Sequence, residues 1–104
     1  MKKQEVIVAY CRLIDDYSIA LQKNEIQKFA NENKIEISKW YVDEKVINGL
    51  IRRSDFQKMI NAGKRKRFSQ VLVYKTIVIS KFKINFDCYS RILRQNQIEI
   101  KTIN

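Results

Sequence analysis

The sequence predicts an α/β fold: one three-layer domain with a mostly parallel four-stranded sheet and helices on both faces. Three observations predict it. Short apolar runs alternate with segments of helical periodicity, in the order β-α-β-α-β-α-β. The first run, Val6-Ile7-Val8-Ala9-Tyr10, stops abruptly in a polar turn, as the opening strand of a parallel sheet does. The chain has 104 residues, room for one modest core, and its 45% hydrophobic content argues against disorder. No repeat, linker or low-complexity stretch divides it, so residues 1–104 read as a single domain.

Residues 6–10 form the first strand. After a polar turn, Ile19, Ile26 and Phe29-Ala30 recur at helical spacing, which predicts a helix over 18–31 with Ser18 as its N-cap. Residues 35–42 read as a second strand, since Ile35 and Ile37 alternate ahead of Trp40-Tyr41-Val42. A polar connection over 43–53 follows. The second helix opens at Ser54, where Ser54 and Gln57 have capping-box spacing. Phe56, Met59 and Ile60 supply its buried face and Gly63 its C-cap. The nearly continuous β-branched run 71–79 predicts the third strand. A third helix over 85–95 turns Cys88-Tyr89 and Ile92-Leu93 inward, and a last strand covers 97–103.

Composition bounds the chemistry. Histidine is absent, and Cys11 and Cys88 have neither metal nor redox spacing, so both read as buried thiols and no metal or cofactor is expected. No window is long and apolar enough to span a bilayer and no signal peptide opens the chain, which predicts a cytoplasmic protein without a membrane partner. The formal charge of +10 is the strongest signal, because such a chain is drawn to polyanions by counterion release, and nucleic acid is the first candidate.

In a parallel sheet the site lies where strands end, which places Tyr10 and Arg12 at the centre of any chemistry. Five stretches carry a family resemblance. They are Tyr10-Cys11-Arg12, Gln22 with Phe29-Ala30-Asn31-Glu32-Asn33, Tyr41-Val42-Asp43-Glu44, Arg53-Ser54-Asp55-Phe56-Gln57-Lys58-Met59, and Val71-Leu72-Val73-Tyr74-Lys75. In this order they resemble the N-terminal catalytic domain of the serine recombinases, the resolvase/invertase family. The resemblance implies a resolvase-like fold, DNA recombination as the ancestral activity, and an origin in a phage or mobile element.

It also implies a particular site. In the family a serine two residues after the strand-one arginine attacks a DNA phosphodiester, and arginines stabilise the charge that builds on the phosphate oxygens. Arg12, Arg53 and Gln22 match retained positions. The nucleophile position is Ile14, whose side chain has no lone pair. Where the family has Asp and two Arg after the third strand, this chain has Ile77, Val78 and Lys81. Lysine keeps the charge but loses the bidentate fork. The family reaction is therefore expected to be absent, and no catalytic residue is intact.

The remaining expectations concern cations and extent. Arg12, Arg52, Arg53, Lys75 and Lys81 should gather near the strand C-termini. Lys64, Arg65, Lys66 and Arg67 should lie at the opposite sheet end, able to hold phosphates without reading sequence. The family continues into a dimerising helix and a DNA-binding domain, and no C-terminal DNA-binding domain is expected here. The reading is a non-catalytic module acting through non-specific contact with the DNA backbone, through a full-length recombinase, or through self-association. The alternative is an enzyme that nicks or exchanges DNA strands through a displaced serine, Ser18 or Ser54.

Overall fold

The computed structural model describes residues 5–51 and 53–104. Its elements in chain order are β1 (Ile7–Arg12), α1 (Ile19–Glu32), β2 (Ile37–Asp43), β3 (Val46–Ile47), β4 (Leu50–Ile51), α2 (Ser54–Lys64), β5 (Gln70–Val73), α3 (Thr76–Ile79), α4 (Lys83–Gln95) and β6 (Glu99–Thr102). The four main strands form an all-parallel sheet in the order β2-β1-β5-β6. The predicted α/β class, single sheet and helices on both faces are all present.

Strand periodicity sorts the core into two layers. On β1, Ile7, Ala9 and Cys11 face α1 together with Leu72 of β5 and Ile26. Val8 and Tyr10 face the other way, with Val71, Val73, Phe56, Met59 and Leu93 under α2 and α4. The pairing of β1 with β2 slips between Ile7 and Val8, so that Ile37 pairs with Ile7 while Lys39 pairs with Val8. That one-residue shift lets Ile37, Trp40 and Val42 all pack on the α1 side.

Several local expectations are corrected. The β-branched run 71–79 is strand only to Val73, and Thr76–Ile79 forms a helical turn instead. β propensity yields there because β5 meets its partners only over Gln70–Val73, after which the chain must cross the sheet end. Ser18 caps α1 as predicted, accepting from the Leu21 amide at 3.0 Å. Ser54 does not cap α2. The cap comes from Asp43, whose Oδ1 accepts from the Asp55 amide at 2.8 Å and Oδ2 from the Phe56 amide at 3.0 Å. A carboxylate from the end of β2 thus satisfies orphan donors and meets the positive end of the helix dipole.

Gly63 is not a C-cap either, since α2 continues to Lys64 and the left-handed residue is Lys66, with φ 56°. A Cβ at Gly63 would lie 2.7 Å from Ile98 Cδ1, so this glycine lets α2 approach the start of the last strand. Cys88 is exposed rather than buried, while Cys11 lies in the core. The polar connection contains an unpredicted hairpin, β3–β4, whose turn residues Asn48 and Gly49 have φ of 54° and 75°. Both values belong to the left-handed region that Asn-Gly hairpin turns favour.

The buried Asp43 carboxylate also accepts the Tyr10 hydroxyl at 2.7 Å. Replacing Asp43 with Ala removes a helix cap and strands the buried phenol. Urea unfolding should show a loss of about 2–4 kcal/mol, most of it from these charge-assisted bonds.

Candidate functional site: the cleft at the strand ends

The strand order places a topological switch between β1 and β5. From β1 the chain moves outward to β2 over one face, then returns past β1 to β5 and β6 over the other. Crossovers on opposite faces leave a crevice at the carboxyl ends of the two central strands. An open cleft of about 310 Å³ lies there, lined by Arg12, Leu13, Ile14, Asp15, Asp16, Ile77 and Lys81.

Arg12 ends β1, and Gln22 fixes its backbone. Gln22 is fully buried; its Oε1 accepts from the Arg12 amide at 3.1 Å, and its Nε2 donates to the carbonyls of Arg12 at 2.7 Å and Tyr17 at 3.0 Å. No surface of Gln22 remains for a phosphate. The Arg12 side chain reaches across to α3, where Nε donates to the Val78 carbonyl and Nη2 to the Ile77 carbonyl, both at 2.9 Å. Arg53 closes the same turn from the other side, its Nη2 donating to the Ile79 carbonyl at 2.7 Å. The two matched arginines therefore do converge, but on backbone oxygens.

Their environment is crowded. Arg12 has its pKa lowered, first because burial penalises the charge and second because Arg53 repels it. The Arg53 guanidinium carbon lies 4.2 Å from the Phe56 ring centroid, a cation–π contact, and its Nη2 is 3.4 Å from the Tyr10 hydroxyl. Its buried Nε has no hydrogen-bond partner. Tyr10 lies between Arg53 and Asp43, and its pKa is raised well above the ordinary phenol value, chiefly by burial.

The other expected residues divide. Ile14 is half-buried and packs against the core layer containing Tyr10 and Val78. Ile77 lines the cleft, whereas the Val78 side chain is fully buried. Lys81 is exposed at the cleft rim. Lys75 turns away, donating to the Tyr17 hydroxyl at 2.8 Å with its ammonium 5.7 Å from the Tyr74 ring centroid. Arg52 falls outside the described residues. Lys64, Arg65, Lys66 and Arg67 are all exposed beyond the far end of the sheet, as expected. Of the serines, Ser18 Oγ caps α1 and Ser80 Oγ accepts from the Phe82 amide, while Ser54 is exposed on the first turn of α2.

Sequence reasoning missed Asp43 and Tyr17 as organising residues. Asp43 binds groups 12 and 13 residues further on, too far for any local spacing rule to reveal. Among the described residues no group of His, Cys, Asp and Glu could hold a metal ion, and no helix is long and apolar enough to cross a membrane.

Similarity to known proteins agrees with this geometry. The family model of the resolvase N-terminal domain matches residues 7–104. No curated protein sequence matches significantly. Among solved structures, the N-terminal catalytic domain of TP901-1 integrase is 25% identical, with a TM-score of 0.83 over 96% of this chain and 78% of that one. A resolvase family site-specific recombinase from Streptococcus pneumoniae is 23% identical, with a TM-score of 0.86 over 96% of this chain and 72% of that one. The C-terminal catalytic domain of ISC1926 TnpA, an IS607-like serine recombinase, shares the fold at 16% identity and a TM-score of 0.75, over 94% of this chain and 67% of that one.

Two measurements check the geometry. Arg12→Met removes both bonds to the Ile77 and Val78 carbonyls, so amide hydrogen exchange at Val78 and Ser80 should accelerate at least tenfold with the sheet amides unchanged. The raised pKa of Tyr10 means that the folded state holds its phenolic proton after the unfolded chain has lost it. Stability is then complete below about pH 10 and falls as pH rises beyond it. Melting temperatures between pH 8 and 11.5 should show that decline, and it should be shallower in Tyr10→Phe.

Proposed function

The chain belongs to the resolvase N-terminal domain family of serine recombinases, and from that premise we propose that it is a recombinase-like module that does not cleave DNA. It acts instead by holding the DNA phosphate backbone without sequence preference, or by pairing with a full-length recombinase or with itself. The observation that carries this reading is the state of the cleft. Ile14 and Ile77, which the resemblance matches to the family's nucleophile and carboxylate positions, line it with hydrocarbon. Arg12 commits Nε and Nη2, and Arg53 commits Nη2, to the carbonyls of residues 77–79.

Magnitudes favour the same side. A missing nucleophile costs about 10⁶ in rate by analogy with serine hydrolases. A missing transition-state donor costs a further ~10²–10³. Arg12 and Lys81 also share the cleft with Asp15 and Asp16, so a phosphate there would meet mixed charge.

Incubation with supercoiled plasmid tests the reading. Neither nicked circles nor a detergent-stable protein–DNA adduct should form. Ile14→Ser alone should remain inactive, because Ile77 and Val78 still replace the family's Asp and Arg. An adduct that disappears on Ser18→Ala or Ser54→Ala would establish the strand-exchange alternative.

A further inference from the structure

A groove between α2 and β2 is lined by cations and by no acid. Helix α2 starts at Asp43, the C-terminal end of β2, and runs back towards the start of that strand. On the helix, Lys58, Asn61, Ala62 and Arg65 fall at i, i+3, i+4 and i+7, one continuous stripe. On the strand, Lys39 and Tyr41 share a face by alternation, and Arg67 enters from the loop that leaves α2. Together these residues line an open groove of about 440 Å³.

The groove holds four cationic side chains and no carboxylate. The Lys39 ammonium lies 4.9 Å from the Tyr41 ring centroid, which holds it over the strand. Among the described residues the only ion pair is Lys83–Asp87 on α4, so none of the groove's cations is ion-paired. Asp43 and Asp55, the nearby acids, accept instead from the backbone amides of Asp55, Phe56 and Val42. Charge at the C-terminal end of a helix has a local use, because it complements the dipole, and that would suffice for Arg65. Lys39 and Arg67 lie outside the helix, and Lys58 lies in its middle, so the dipole does not account for them.

We propose that this groove, rather than the cleft at the strand ends, is where the domain binds the phosphate backbone of nucleic acid. The inference rests on the reading of the domain as a backbone-binding module and gives that module its surface. Arg65 and Arg67 offer planar forks that match phosphate oxygens, and Lys39 and Lys58 add point charges. β2 is an outer strand of the sheet, so the groove lies along an edge of the domain, open to a ligand longer than itself. Contacts of this kind position a duplex without reading its bases.

Fluorescence anisotropy with a labelled 25-base-pair duplex over a salt series tests the assignment. The variant Lys39→Gln/Lys58→Gln/Arg65→Gln/Arg67→Gln is compared with Lys23→Gln/Lys28→Gln/Lys45→Gln/Arg91→Gln, which removes equal charge from exposed sites elsewhere. The groove variant should bind more than tenfold more weakly at low salt. Its log–log salt slope should drop by roughly 3, since each phosphate contact contributes about 0.9. The control should lose no more than threefold. Equal losses in both variants overturn the groove while leaving backbone binding intact. No binding by the wild-type protein removes the backbone-binding reading itself, and the groove with it. Competition by polyglutamate as effective per charge as by DNA overturns the phosphate assignment in favour of an acidic protein partner. Should the fourfold variant not fold by circular dichroism, Lys39→Gln/Arg67→Gln, outside the helix, carries the same test with about half the slope change.

Discussion

Two guanidinium groups gripping one turn of backbone determine how the carboxyl ends of the strands are arranged. In a helical turn as short as Thr76–Ile79 only the Thr76 carbonyl finds a local amide, that of Ser80, and burying the other three unpaired would be costly. Arg12 and Arg53 satisfy three of those oxygens. Arg53 is itself located by the Phe56 ring and the Tyr10 hydroxyl, Tyr10 by Asp43, and Asp43 by the first amides of α2. Strands β1 and β2, helix α2 and the turn after β5 are thereby tied into one polar network.

That network bears directly on function. Arginines that matched the family's phosphate-binding positions are part of the internal structure here, and the neighbouring side chains Ile14 and Val78 pack on the core. A site built to stabilise charge on a reacting phosphate needs preorganised donors facing an open position. Here Nε and Nη2 of Arg12 and Nη2 of Arg53 are held by backbone carbonyls. In this resolvase-family fold these polar groups hold the centre of the scaffold together.

The surplus charge is distributed accordingly. With 21 basic and 11 acidic side chains, the protein has a strong positive field. At the cleft that field is broken by Asp15 and Asp16, whereas the groove between α2 and β2 is lined by four cations and no carboxylate.

The α/β class, the order of the four main strands and three long helices, the Ser18 cap and the family were all legible in the sequence, because period-two and period-3.6 patterns and adjacent caps are local properties of a chain. Local rules failed where a distant group intervened. Ser54 looked like a cap until Asp43 supplied one, Gly63 looked like a helix end although it marks a close approach to Ile98, and the run 71–79 read as strand until β5 ran out of partners. Charge was visible from the start, but not its grouping, since Lys39 and Arg67 meet only when α2 folds back along β2. The sequence by itself determined the layers and put isoleucine at position 14. Tertiary structure alone decided which carbonyls Arg12 would hold, because that bond joins residues 65 and 66 positions apart and arises only when the sheet brings β1 beside the turn after β5.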